Sequence, residues 1–305
     1  MKLLVTGRNG QIAQSLAALD SDDVKIIALG RPDLDITDRA SIDRAIAVYR
    51  PDLVVNAAAY TAVDKAESDQ DAAFAVNRDG AGHVAAATAA AGLPIIHIST
   101  DYVFAGDKSE PYVETDATGP QNIYGLSKLE GEKAIAAANP AHVILRTAWV
   151  YSPYGSNFLK TMLRLAAERD VIRVVADQHG TPTYAPDIAE AIVAVAERIK
   201  ADPKGVAWRG VFHMVAEGET TWAGFAEEIF RRSESQGGPS IRIESISATE
   251  YPSIARRPIN SRLSTRYFRR TFQTSLRNWR LAVSDCIKGL FATQTQKSQA
   301  KRNTP

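Results

Sequence analysis

Short apolar, β-branched runs alternate with longer amphipathic stretches through the first half of the chain. The runs are Lys2–Thr6, Lys25–Leu29 and residues 53–57, 95–99 and 143–147, each of strand length. Between them Arg39–Tyr49 is closed by Pro51, and residues 72–91 are closed by Gly92 and Pro94, both helix-then-stop patterns. A further helical stretch covers 124–138 and ends at Asn139-Pro140. Strand and helix in strict alternation predict an α/β fold with a doubly wound parallel sheet.

Past Trp149 the pattern loosens. Residues 173–176 read as a strand and 186–200 as an amphipathic helix, a pair placed to return to the sheet. Residues 206–290 are richer in Trp and Arg, with a short helix over 221–232 ahead of the Gly237-Gly238-Pro239 turn. This divides the chain into a nucleotide-binding domain of residues 1–150 with about 172–200, and a smaller mixed α/β substrate-binding lobe of about 151–171 and 201–291. Residues 292–305 are polar without apolar periodicity, which predicts a disordered tail. The chain carries no internal repeat.

Composition narrows the function. With 45% hydrophobic residues and 36 basic against 35 acidic side chains in 305 residues, nothing calls for nucleic acid or a membrane surface. Basic runs at Arg256-Arg257, Arg266 and Arg269-Arg270 suit a surface patch or an anionic substrate. The single Cys286 excludes an intrachain disulfide framework, and no Cys/His cluster has metal-ligand spacing. His97, inside an apolar run, reads as a hydrogen-bonded core histidine. Residues 1–7 pass straight into a strand and a glycine turn, leaving no room for a signal peptide, and no apolar run nears the ~20 residues of a membrane span. A reducing, cytoplasmic compartment is the expectation.

The turn Gly7-Arg8-Asn9-Gly10-Gln11-Ile12-Ala13 follows the first strand and opens the first helix, the context of a Rossmann-like dinucleotide fingerprint. Gly7 permits the tight turn, and Gly10 lets backbone N–H groups approach a pyrophosphate at the helix N-terminus. After the second strand the ribose-binding carboxylate of NAD enzymes is replaced by Gly30-Arg31-Pro32. Arg31 suits a 2′-phosphate and favours NADPH; Asp33 and Asp35 leave NADH open, and Asp35-Ile36 suit a place beside the adenine.

Tyr124 and Lys128 stand at i and i+4 on a helix and address one site. A neighbouring ammonium lowers a phenol's pKa, so Tyr124 is expected to be activated by Lys128 for proton transfer to a carbonyl oxygen. Lys128 is also placed to hold the nicotinamide ribose. Ser99-Thr100-Asp101-Tyr102 ends the fourth strand, where ligands bind in such sheets; a hydroxyl here suits the substrate carbonyl, with Ser99 alternating inward and Thr100 the residue that the resemblance given below matches.

Several blocks resemble the dTDP-4-dehydrorhamnose reductase family of the extended short-chain dehydrogenase/reductases: Asn56-Ala57-Ala58-Ala59-Tyr60-Thr61-Ala62-Val63-Asp64, Ser99 to Phe104, Tyr124 to Lys128, Arg146 to Tyr151, Val174 to Gln178, and Arg257-Pro258 with Asn260-Ser261. The resemblance implies reduction of a nucleotide-linked 4-keto sugar at C4. It assigns catalysis to Thr100, Tyr124 and Lys128, and the cofactor to Gly7, Gly10, Gln11, Ile12, Ala59, Tyr60, Thr61, Tyr124 and Lys128. Val63, Thr100, Asp101, Tyr102 and Trp149 would meet the sugar nucleotide, with a core tryptophan as the other reading of Trp149. Relatives that join their dimer through a metal use a glutamate where this chain has Ser15, which argues against magnesium and leaves a homodimer without it open. A related 4,6-dehydratase carries Thr-Asp-Glu where this chain has Thr100-Asp101-Tyr102, which favours simple reduction. An epimerase, and a non-catalytic subunit like that of methionine adenosyltransferase, are the remaining alternatives.

Overall fold

The computed structural model describes residues 1–302, with side chains described to residue 292. Six strands form the central sheet: β1 Lys2–Thr6, β2 Lys25–Leu29, β3 Leu53–Asn56, β4 Ile95–Thr100, β5 His142–Thr147 and β6 Gly210–His213. Their spatial order is β6-β5-β4-β3-β1-β2, and every neighbouring pair is parallel. The expected doubly wound α/β architecture is therefore present. The chain leaves β1 to one side for β2 and returns to the other for β3, so a crevice opens between the C-terminal ends of β1 and β3.

Alternation within the strands sorts their side chains onto two faces. Leu3, Val5, Val55, Ile96, Val143 and Leu145 share one core with Leu16 of α1 (Gln11–Ala17) and with Ile188 and Ile192 of a helix over Ala185–Ala201. Leu4, Val54, Ile95 and Ile144 face the other way, onto Ile42 of α2 (Arg39–Tyr49), Val84 of α3 (Ala81–Ala90) and Ile135 of α4 (Ile123–Ala138). Each such side chain, fully buried, stabilises the sheet by about 1.5–3 kcal/mol relative to exposure. Helix ends follow local chemistry: Asp38 caps α2 by accepting from Ala40 N, and Arg50 closes it in the left-handed region at φ 45°.

Two expectations need correction. Residues 72–91 are not one regular helix: Gln70–Phe74 runs into a π-helical segment, Ala75–Gly80, before α3 begins. The wider turn carries buried Asn77 inward, where its amide bonds the backbone of Tyr60 and the Ser127 hydroxyl. Nor does the later strand rejoin the sheet. Val171–Val175 pairs in parallel with Arg242–Ile246 instead, burying Ile172 and Val174 while Arg173 meets Glu244 and Glu250 outside. The open edge of β5 is taken by β6, which drives Phe212 fully inside.

The last helix is Trp279–Arg302. The tail expected over 292–305 falls, from residue 293 on, outside the residues whose side chains are described. Among the described residues no helix is long and apolar enough to cross a membrane.

Candidate active site

The C-terminal edge of the sheet opens onto a cleft of about 880 Å³. Every candidate residue lines it: Gly7, Gly10, Gln11 and Ile12 after β1; Arg31, Asp35 and Ile36 after β2; Ala59, Tyr60, Thr61 and Val63 after β3; Thr100, Asp101 and Tyr102 after β4; Tyr124 and Lys128 from α4; and Trp149 after β5. The topology explains the convergence, since each contributes from the end of a parallel strand or from the helix beside it.

One end of the cleft is a backbone cradle. Gly7 has φ +78°, and a Cβ there would stand 2.8 Å from Ala58 Cα, so only glycine lets the turn lie against the loop after β3. Gly10 is the N-cap of α1, its amide donating back to Gly7 O at 2.8 Å. Gln11 is fastened across the cleft: its Nε2 donates to Val150 O, and its Oε1 accepts from Ser152 Oγ and Asn157 Nδ2. At the rim Arg8 donates to Asp33 Oδ2 at 2.6 Å and to Arg31 O at 3.1 Å. Asp35 accepts from the backbone N–H and hydroxyl of Thr37; these bonds and the nearby Arg31 charge hold it below the usual carboxylate range. Both carboxylates that left NADH open are thus already engaged.

The other end is where chemistry can occur. Asn122 caps α4 by accepting from Gly125 N at 2.8 Å. A Cβ on Gly125 would lie 2.2 Å from Tyr102 O, so the glycine lets the helix press onto the turn after β4. Tyr124 and Tyr102 then meet edge to face, with ring centroids 5.5 Å apart. Thr100 Oγ1 donates to Asp101 Oδ1 and accepts from Tyr102 N, and its hydroxyl favours the charged form of the Tyr124 phenol. Behind this contact Glu132 of α4 accepts from Ser99 Oγ at 2.5 Å and, bidentately, from Arg146 of β5. Both members of this ion pair are only 5% exposed, so it bolts α4 to two strands.

The electrostatics differ from the expected activation. Burial pushes the Tyr124 phenol up to about 12, the Asp101 charge adds to this, and the Thr100 hydrogen bond opposes it. The side-chain nitrogen of Lys128 is turned to Ile98 O at 2.7 Å and His97 Nε2 at 3.1 Å, and burial pulls Lys128 itself down to about 8, against the Glu132 charge. Tyr124 is therefore a phenol at neutral pH, the form a proton donor requires. Asp101 is pushed up to about 6 by burial, with the Ser261 and Thr100 hydroxyls opposing; its Oδ2 has no hydrogen-bond partner among the described residues.

A family model described as the RmlD substrate binding domain matches residues 1–291. A dTDP-4-dehydrorhamnose reductase of Sinorhizobium fredii is 52% identical over 279 residues, spanning 92% of this chain and 94% of that protein. The chain belongs to the dTDP-4-dehydrorhamnose reductase family. Solved structures of that name agree in fold. The one from Clostridium acetobutylicum superposes with TM-score 0.88 at 37% identity, covering 95% of this chain and 99% of its own. Another, from Bacillus anthracis in complex with NADP, gives 0.86 at 33% identity over 94% and 99%.

Within this reductase scaffold, several cleft residues escaped the sequence reading. Arg8 lies in the phosphate turn but was not singled out, and Gly155 and Ser156 line the cleft from a polar turn after Tyr151. The Gly155-Ser156-Asn157 run is the signal that could have marked the turn, since Asn157 both caps the next helix and reaches Gln11. Trp149 is only partly buried: it lines the cleft at φ 49° and stacks on Trp222 with ring centroids 3.7 Å apart. Ser15 is buried and bonds inward to Gln11 O at 2.8 Å.

Proposed function

We propose that this chain reduces the C4 ketone of dTDP-4-dehydro-6-deoxy-L-mannose to dTDP-L-rhamnose, with NADPH as the reductant. The observation that carries this is the meeting of Thr100, Tyr124 and Lys128 in one cleft with a glycine-built dinucleotide cradle. The name shared by its family relatives supports the substrate.

The residues fit a dinucleotide. Gly7 lets the turn pack directly on the loop after β3, and Gly10, Gln11 and Ile12 start the helix at which a pyrophosphate would sit. Arg31, with Arg8 next to it, supports the 2′-phosphate form, because Asp33 and Asp35 are occupied. When bound, the reduced nicotinamide supplies the hydride. Ala59, Tyr60 and Thr61 would flank it from a loop that Asn77 holds by its backbone.

The side chains supply the proton and the charge. Thr100 and Tyr124 offer two hydroxyls to the carbonyl oxygen. As C4 is reduced, Tyr124 gives its proton to that oxygen, which becomes the product hydroxyl, and solvent later restores the phenol. Lys128, mostly charged at neutral pH, stabilises the phenolate left behind and holds the cofactor ribose. Val63, Asp101, Tyr102 and Trp149 face the sugar nucleotide. Dehydration would need a second acid beside Asp101. Tyr102 stands there in place of a carboxylic acid, which favours carbonyl reduction. We place the enzyme in the cytoplasm without membrane or nucleic-acid partners, a homodimer being the assembly to test by light scattering.

The assay is loss of NADPH absorbance with dTDP-4-dehydrorhamnose, run beside NADH. Tyr124→Phe is expected to lower kcat by ~10²–10⁴ while NADPH affinity stays within a few-fold. A purified, folded chain that leaves NADPH unoxidised by this keto-sugar refutes the reading.

A further inference from the structure

Lys128 is the outer end of a buried chain of polar groups that crosses three strands. Ala58 N donates to Thr6 Oγ1 at 3.1 Å, and Thr6 Oγ1 donates to Asn56 Oδ1 at 2.6 Å. Asn56 Nδ2 lies 3.1 Å from His97 Nδ1, and His97 Nε2 lies 3.1 Å from Lys128 Nζ. Thr6 and Asn56 are 0% exposed, His97 1% and Lys128 2%, so water does not compete for these bonds.

Donor and acceptor inventories give the chain a direction. With Ala58 donating to Thr6, the Thr6 proton goes to Asn56 Oδ1, which orients the amide and turns its NH₂ toward His97. An amide NH₂ only donates, so Nδ1 accepts and the ring proton sits on Nε2. Nε2–H then points at Lys128 Nζ. An ammonium carries three donors and no acceptor, so this contact is a hydrogen bond only when Lys128 is an amine whose lone pair receives Nε2–H. One amine N–H reaches Ile98 O at 2.7 Å and the other is left for the cleft. Seating the ammonium on Nε2 requires the ring proton to move to Nδ1 and the Asn56 amide to turn over. Thr6 then loses the acceptor of its hydroxyl proton.

We infer that His97 is a positioning residue: its Nε2–H tautomer, fixed by Asn56 and Thr6, stabilises Lys128 as an amine and sets the pH at which Lys128 gives up its charge. The inference rests on the reading of Lys128 as catalytic. Burial acts in the same direction on Lys128, and it holds His97 well below the ordinary histidine range, so the pair titrates through the lysine. Lys128 is faced by His97 from β4 and by Tyr124 and Glu132 from its own helix, Glu132 being held by Arg146 and Ser99. His97 is faced by Lys128 and by the uncharged Asn56 of β3.

Two variants and one spectrum test this. His97→Gln keeps a polar group near Lys128 but can offer an oxygen to the ammonium, and Asn56→Asp takes the ring proton onto Nδ1 and makes Nε2 an acceptor. In both, the basic limb of the kcat/KM profile for the keto-sugar is expected to move up by about one pH unit, tenfold in the acidity constant. A histidine that only packed would change kcat or stability and leave the limb in place. In ¹⁵N-histidine wild-type protein at pH ~9, above the value of about 8 at which Lys128 loses its charge, the signal absent from the His97→Gln spectrum should show a bare Nδ1 and a protonated Nε2. A protonated Nδ1 overturns the inference, as does an unmoved limb in an active variant. If the wild-type chain fails to reduce the keto-sugar yet shows the Nε2–H tautomer, the proposed function falls and the tautomer assignment stands. If His97→Gln does not fold, Asn56→Asp and selective ¹⁵N assignment of the wild type by a Lys128→Met difference spectrum still decide.

Discussion

The two walls of the cleft are made by different means. The wall at β1 and β2 is largely backbone: Gly7 and Gly10, the alanines after β3, and a rim where Arg8 pairs with Asp33. The opposite wall is made of side chains held by contacts far apart in sequence. Trp149 stacks on Trp222, Tyr102 meets Tyr124 edge to face, and Asp64 accepts from Arg257, 193 residues away, at 2.7 Å. A backbone wall reads what all dinucleotides share, and it tolerates side-chain change except where a Cβ has no room. A side-chain wall reads the outline of one sugar and can be altered a residue at a time.

The contrast can be broken most severely at Gly7. Gly7→Ala combines a left-handed backbone penalty of about 1–2 kcal/mol with overpacking against Ala58 of about 1–3 kcal/mol. A lower melting temperature and at least a tenfold weaker NADPH affinity by fluorescence titration are expected. Unchanged binding would mean that the turn is not the cradle.

Asp101 tests the other wall through pH. Its folded value, about 6 against an ordinary 3.8, favours the neutral carboxyl, so its stabilising contribution is full below pH ~4 and is lost as pH rises through 6. Above that, the buried carboxylate costs up to about 3 kcal/mol. Asp101→Asn should melt higher than wild type at pH 8 and the same at pH 4, while the KM for the keto-sugar rises. Equal melting at pH 8 would show that the carboxylate is compensated.

Arg257→Ala sharpens the comparison with the smallest effect. The pair with Asp64 is partly exposed, worth under about 1 kcal/mol, so the keto-sugar KM should rise no more than severalfold and the NADPH dissociation constant should not move. A change in NADPH affinity instead would make the two walls one unit.

The backbone wall is also the part legible in sequence. β1 to β5 follow from alternating apolar runs, and the Gly7-to-Ala13 turn is recognisable because its neighbours in sequence are its neighbours in space. β6 is only four residues long in a stretch without clear period, and its place is fixed by the bare edge of β5, a long-range property. The run over 173–176 has the better strand signal, yet its partner is Arg242–Ile246. Tyr124 and Lys128 were legible as a pair because helical spacing brings them together. Their pKa directions were not, because burial and the bonds of Lys128 to His97 and Ile98 outweigh proximity in sequence. His97 was legible as a buried, bonded histidine, but its partner was not.

The π-helical turn at Ala75–Gly80 has a consequence for how this protein tolerates change. Removing one residue there would restore a regular helix and rotate Asn77 by ~100°. Its amide would then leave the Tyr60 backbone and the Ser127 hydroxyl together. Many substitutions along this stretch preserve the reading frame of the turn, whereas a single deletion shifts it. In this segment it is length, rather than composition, that guards the active site.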